Sequence, residues 1–174
     1  MKLTLSQKNI LDQILVAKTR KLPVDGIIGE FNCLYSPIRS QLGPFQEWFG
    51  VDTDKDGLKK IKAEVKSDKV HVRYGIVSEH VDIPDNACDI LLCPLQLHEQ
   101  VDLAAALVVL QAKVAFGGKV IIIDVNNSEK TRRSAEEDRV YYHKEKDIEM
   151  LVGKLRGFSK SSQDIFVVYE WLKV

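Results

Sequence analysis

The stretch VLQAKVAFGGKVIIIDV, residues 109–125, joins the end of one pattern to the start of another. Upstream, Leu103, Leu107 and Leu110 share one face of a segment that reads as helix from Val101 to Phe116, with Gly117 as its terminus. Downstream, VIII lies between GGK and an aspartate, the continuous apolar run of a strand buried on both faces, expected over Lys119–Asp124. Asp89–Cys93, ahead of the helix, is a second such run. Strand, crossover helix and strand make one unit of a parallel sheet covered by helices.

Working outward, the same alternation recurs. Leu5, Ile10, Leu11, Ile14 and Leu15 predict a helix over 5–19 with Ser6 as its cap. Val24–Ile28 and Glu47–Val51 suit buried strands, the second stopping at Asp52, and a helix is expected from Gly57 to Lys66. Lys69–Tyr74 alternates with period two, residues 145–155 are amphipathic, and Ile165–Leu172 alternates as a closing strand. A further strand falls either at Phe158–Ser161 or within the Ile165 run.

Composition sets the limits. A chain of 174 residues, 45% apolar and 29% charged, can bury one ordinary core, so residues 1–174 are expected to form a single domain, with residues 1–20 a helix ahead of the sheet. Twenty-five basic residues balance twenty-five acidic ones, so no overall charge draws the chain to nucleic acid or an anionic membrane. No run approaches the roughly 20 apolar residues of a membrane span, and no signal-like segment opens the chain, so a cytoplasmic location is expected. Cys33, Cys88 and Cys93 lack ligand or disulfide spacing, and the four histidines make no metal constellation, so no metal site is expected.

GVDTDKDGLKK, residues 50–60, poses a local question, because Asp52, Asp54, Asp56 and Gly57 begin like a calcium loop. Such a loop needs an aliphatic residue at position eight and a bidentate glutamate at twelve; Lys59 and Ala63 stand there instead. Asp52 closes a predicted strand of a β/α unit, where an acid can accept both hydroxyls of a ribose. The plainer alternative makes Asp54 or Asp56 a helix cap and Asp52 a solvated acid.

Four segments, in order, carry a resemblance. FGVDTDKDGLKKIK, VDIPDNACDILLCPLQLHEQVD, VLQAKVAFGGKVIIIDV and KEKDIEMLVGKLRGF resemble successive motifs of the class I S-adenosylmethionine-dependent methyltransferases, covering about residues 20–174. The resemblance implies a three-layer, doubly wound, mostly parallel seven-stranded sheet with an antiparallel closing strand. It also implies S-adenosylmethionine bound at the carboxyl edge of the first two strands, with Asp52 on the ribose. The family's glycine-rich loop corresponds to VDGIIGEFNCLYSPI, which keeps one loop glycine, Gly29, and then places Glu30, Phe31 and Asn32 where small residues are wanted. The acid that often contacts the adenine is replaced by Val77 and Ser78, with Glu79 one residue away.

On the acceptor side, His98, beside Glu99 in the loop after the fourth strand, is the candidate general base; the alternative is a packing histidine of the family's common motif. CPLQ, residues 93–96, argues against amino methylation of nucleic acid, since the resemblance calls for Asn or Asp and two prolines there. Tyr141, Tyr142 and His143 are further candidates to line an acceptor pocket. The expected function is a methyltransferase-fold domain with weak or lost donor binding that serves as a binding or scaffolding module. Phe31, Tyr35, Phe45 and Trp48 would then form a surface for a protein partner near the strand carboxyl ends. The alternative is an active methyltransferase on a small-molecule or protein acceptor.

Overall fold

A computed structural model describes residues 3–20, 25–36, 38, 47–65, 67–77, 81–126 and 145–174. In chain order the elements are α1 (Leu5–Thr19), β1 (Ile27–Phe31), β2 (Glu47–Asp52), α2 (Lys55–Glu64), β3 (Val70–Tyr74) and β4 (Cys88–Pro94). They continue with α3 (Leu103–Lys113), β5 (Val114–Val125), α4 (Glu145–Val152), β6 (Ser159–Gln163) and β7 (Phe166–Leu172).

The seven strands form one sheet in the order β3-β2-β1-β4-β5-β7-β6. β3 to β5 pair in parallel, and β7 enters antiparallel between β5 and the edge strand β6. The direction of strand order reverses between β1 and β4, which makes their carboxyl ends the crevice of a doubly wound sheet. One face packs Leu91, Val120 and Trp171 against Leu107 and Leu110 of α3 and Ile148 of α4; the other packs Ile28, Trp48 and Ile121 against Leu11 and Leu15 of α1 and Leu58 of α2. Each fully buried side chain of this size contributes about 1.5–3 kcal/mol, so the continuous apolar runs of β4 and β5 tie both layers to the sheet.

Several boundaries move, each for a local reason. The cap of α1 is Thr4 rather than Ser6, because Thr4 and Gln7 exchange side-chain bonds with each other's backbone N–H groups in a capping box. β1 starts later than expected and runs through Phe31. Gly29 therefore lies inside a strand, where a Cβ would meet Leu91 Cδ1 at 2.4 Å and Cys88 Sγ at 2.8 Å. It is a packing glycine of the sheet, not a loop glycine.

α3 ends at Lys113 and the chain passes at once into β5. Gly117 (φ 79°) does not terminate the helix; with Gly118 it shapes a bulge where β5 carries extra residues between the pairs Cys88–Val114 and Ile90–Lys119. The strand left open by sequence resolves as the β6–β7 hairpin, turned at Asp164 (φ 54°). Among the described residues no helix is long and apolar enough to cross a membrane.

Candidate functional site

The parallel strands bring Phe31, Asp52, Pro94 and Asp124 to the same edge of the sheet. Leaving β1, the chain turns through Asn32 in the left-handed conformation (φ 55°, ψ 43°), which asparagine tolerates better than most residues. The Asn32 side chain donates from Nδ2 to the Pro94 carbonyl at 3.1 Å, spanning the crevice between β1 and β4. A 3-10 turn, Cys33–Tyr35, follows.

Asp52 sits beneath that turn. Only 4% exposed, it accepts from the Leu34 N–H through Oδ2 and from the Asp54 N–H through Oδ1, each at 3.1 Å. Leu34 also lies over the start of α2, since a Cβ at Gly57 would fall 2.4 Å from Leu34 Cδ1. Where a glycine loop would leave open backbone, this chain has a leucine side chain and a carboxylate engaged with its own amides. Asp54 is the α2 cap, accepting from the Asp56 and Gly57 N–H groups at 3.0 Å each, while Asp56 pairs with Lys59. Those local bonds account for the alternating aspartates as strand end and cap.

The second cluster is built by β4, β5 and the turn after β4. Beyond Pro94, Leu95 takes φ 54° and donates its N–H to the Ile123 carbonyl, and the 3-10 turn Leu97–Glu99 carries His98 inward. Asp124, near the end of the VIII run, receives the His98 backbone N–H on Oδ2 at 2.9 Å, with the His98 ring Nδ1 2.6 Å from Oδ1 and the Val125 N–H 2.7 Å away. A carboxylate can only accept, so Nδ1 carries the proton and Nε2 is the titrating nitrogen. Burial lowers the His98 pKa, but the Asp124 charge, its hydrogen bond and the nearby Glu99 outweigh burial and raise it above the ordinary 6.5.

Beside this pair lies a cavity of about 10 Å³, roughly the space of one water, lined by His98, Asp124, Glu145 and Tyr169 among others. The Tyr169 hydroxyl is buried without a hydrogen-bond partner among the described residues. Burial first, then Glu145, Glu149 and Asp124, push its pKa up, so it remains a neutral donor. Cys93, on β4, is also no nucleophile: burial, with Asp124 and Glu99, holds its thiol well above its usual range.

Of the predicted site residues, the structure puts Asp52 at the β1–β2 ends and His98 at the β4–β5 ends. Three strand spacings separate β2 from β5, about 14 Å. Gly29 belongs to neither cluster. Glu79, Phe45, Tyr141, Tyr142 and His143 fall outside the described residues, as does the Tyr35 side chain. Phe31 and Trp48 are fully buried, so the expected aromatic partner surface is not formed by them. Sequence reasoning missed Asn32, Asp124 and Tyr169. Asp124 left a usable signal, an acid ending the strand next to the one that precedes His98.

No family model matches the chain, and no curated protein matches it significantly. Solved structures do. A protein from Pyrococcus horikoshii OT3 superposes at TM-score 0.71 with 16% identity, covering 97% of this chain and 90% of that one. A SAM dependent methyltransferase from Aquifex aeolicus gives 0.68 and 17%, covering 99% and 100%. Magnesium protoporphyrin IX methyltransferase from Synechocystis PCC 6803, with bound SAH, gives 0.69 and 13%, covering 100% and 90%. At these identities the likeness establishes the fold: this chain has the class I methyltransferase-like architecture that its four motifs resemble.

Proposed function

We propose that this methyltransferase-fold domain has weak or lost S-adenosylmethionine binding and works as a non-catalytic binding module. The observation that carries the reading is the state of Asp52, whose two carboxylate oxygens hold the Leu34 and Asp54 amides. Leu34 over Gly57 and Asn32 across the crevice support it, because all three groups lie where a glycine-rich loop would admit a ligand. Asp52 is only 4% exposed, so for the ribose hydroxyls to reach its remaining lone pairs the Leu34 turn must move aside, and an N–H that loses its acceptor in that movement costs about 1–3 kcal/mol. Glu79, which in sequence stands near the place of an adenine-contacting acid, is the candidate for recognising the base.

Calorimetry with S-adenosylmethionine and with S-adenosylhomocysteine tests this. The expected result is no saturable heat up to about 1 mM ligand, and measurable binding only after Leu34→Gly. Micromolar binding by the unaltered chain, weakened at least about tenfold by Asp52→Ala, would overturn it.

A second reading, an active methyltransferase on a small-molecule or protein acceptor, is favoured by one observation. His98 has its tautomer fixed by Asp124 and lines a cavity with a buried tyrosine hydroxyl, a composition suited to taking a proton from an acceptor. In that case the donor must bind, so the same titration separates the two readings.

A further inference from the structure

The small cavity beside His98 is built by four elements. Asp124 comes from β5, Tyr169 from β7, His98 from the turn after β4, and Glu145 and Ile148 from α4. In the antiparallel β5–β7 pair, Tyr169 lies opposite Ile122 and Val167 opposite Asp124. Alternate residues of a strand share a face, and Ile122, Val167 and Tyr169 all belong to the core on the α3 and α4 side. Asp124 points to that same side. It is the diagonal neighbour of Tyr169, about 7–8 Å away, so the phenol and the carboxylate can face one gap without touching.

Each group brings an unused hydrogen-bonding position to that gap. Tyr169 is fully buried, and among the described residues nothing accepts its hydroxyl proton. Buried hydroxyls are nearly always paired with protein or with water, and a phenylalanine would fill the same space with no hydroxyl to satisfy. A carboxylate offers about four acceptor positions. On Asp124, Oδ1 takes the His98 ring N–H and the Val125 N–H, while Oδ2 takes the His98 backbone N–H. Among the described residues that leaves one position on Oδ2. Glu145 is already paired with Lys160.

We infer that the cavity is a binding site for one water molecule, which accepts from the Tyr169 hydroxyl and donates to Asp124 Oδ2. Its volume of about 10 Å³ is the space of a single water, and the two polar partners meet the least that a buried water requires. The direction of the two bonds follows from the groups: a neutral phenol donates, a carboxylate only accepts, and water does both. Tyr169 stays neutral because burial above all, and then Glu145, Glu149 and Asp124, push its pKa up.

The water brings Asp124 to four donors. A buried polar network that is satisfied throughout holds one arrangement, and this one joins β7 to the turn that carries His98, beneath α4. Tyr169 is thus a positioning residue for the Asp124–His98 pair, acting through the water. The inference depends on neither reading of donor binding. It bears on the second one, since with the water in place an acceptor meets His98 from the Glu99 side, where Nε2 lies 3.9 Å from Oε1.

Oxygen-17 relaxation dispersion of the solvent, which counts waters held longer than the protein takes to tumble, tests the site on the full chain. Tyr169→Phe keeps the ring and removes only the hydroxyl. The parent should hold one more long-lived water than Y169F, and an equal count in the two proteins would overturn the site. A crystal structure of the parent needs no variant and decides the matter alone if Y169F does not fold. The water should lie about 2.5–3.0 Å from both Tyr169 Oη and Asp124 Oδ2. A hydroxyl bonded directly to a side chain would overturn the site, and a water shared by Tyr169 and Glu145 with Asp124 left out would overturn the bridge to His98.

Discussion

Asp52 and Asp124 are the same residue type at the same kind of position, the carboxyl end of a parallel strand, and each is nearly buried with backbone N–H groups on its oxygens. They differ in their third partner. Asp52 has two amides and sits under the chain's own Leu34, whereas Asp124 has two amides and an imidazole whose other nitrogen can titrate. The first aspartate fixes a loop. The second fixes a titratable ring. Position on a doubly wound sheet nominates both acids, and only their partners tell them apart.

The largest effect expected of this difference is on stability. Asp124→Ala strands three donors, the His98 and Val125 amides and the His98 ring N–H, a loss of about 3–5 kcal/mol. For a chain of this size that lowers Tm by about 6–20 °C, checked by thermal and urea unfolding. A loss below about 1 kcal/mol would mean that the pair is no tighter than a surface contact and would erase the distinction drawn between the two ends of the sheet.

Asp52→Ala comes next. It leaves two part-buried amides without acceptors at a cost of about 2 kcal/mol, roughly 4–8 °C in Tm, because no ring is stranded with them. An Asp52 kept for a ribose would behave differently: its removal would leave the ligand-free stability unchanged and abolish donor binding. Measuring both quantities on one variant sharpens the comparison, since a structural acid and a ligand acid exchange their expected responses.

Much of this was legible in the sequence, though unevenly. The β4–α3–β5 unit could be read because continuous apolar runs such as VIII have few alternatives to a buried parallel strand, and the motif order carried the rest of the sheet. Gly29 was misplaced because a glycine spared for a neighbour's Leu91 and one spared for a ligand look alike in sequence; only the register of β1 on β4 separates them. Gly117 misled for a related reason, its positive φ serving a bulge rather than a helix end. At the site, Asp52 and His98 were nominated by position, but the amides on Asp52 and the bond from His98 to Asp124 arise from contacts 18 and 26 residues apart. No local pattern records those contacts.

The smallest effect is the most diagnostic, because it reads the sign of an electrostatic balance. The folded pKa of His98 lies above its unfolded value, so the protonated pair's contribution to stability is complete below about pH 6.5 and is lost as pH rises through the folded pKa. Stability should therefore fall across that window, tracked by urea midpoints and by the His98 ring resonance. The groups facing the imidazole are Asp124, Glu99, Glu145 and the neutral Tyr169 hydroxyl. Asp124→Asn keeps a hydrogen-bond acceptor while removing the dominant charge. Burial, the largest opposing influence, then prevails over Glu99, the folded pKa drops below 6.5, and the slope reverses so that stability rises with pH. Among the described residues no imidazole bonds to Asp52, and Asp52→Asn should leave this slope as it was. Equal slopes in the parent and Asp124→Asn would show that the ring is held by packing rather than by charge, and the two aspartates would then be structural acids of one kind.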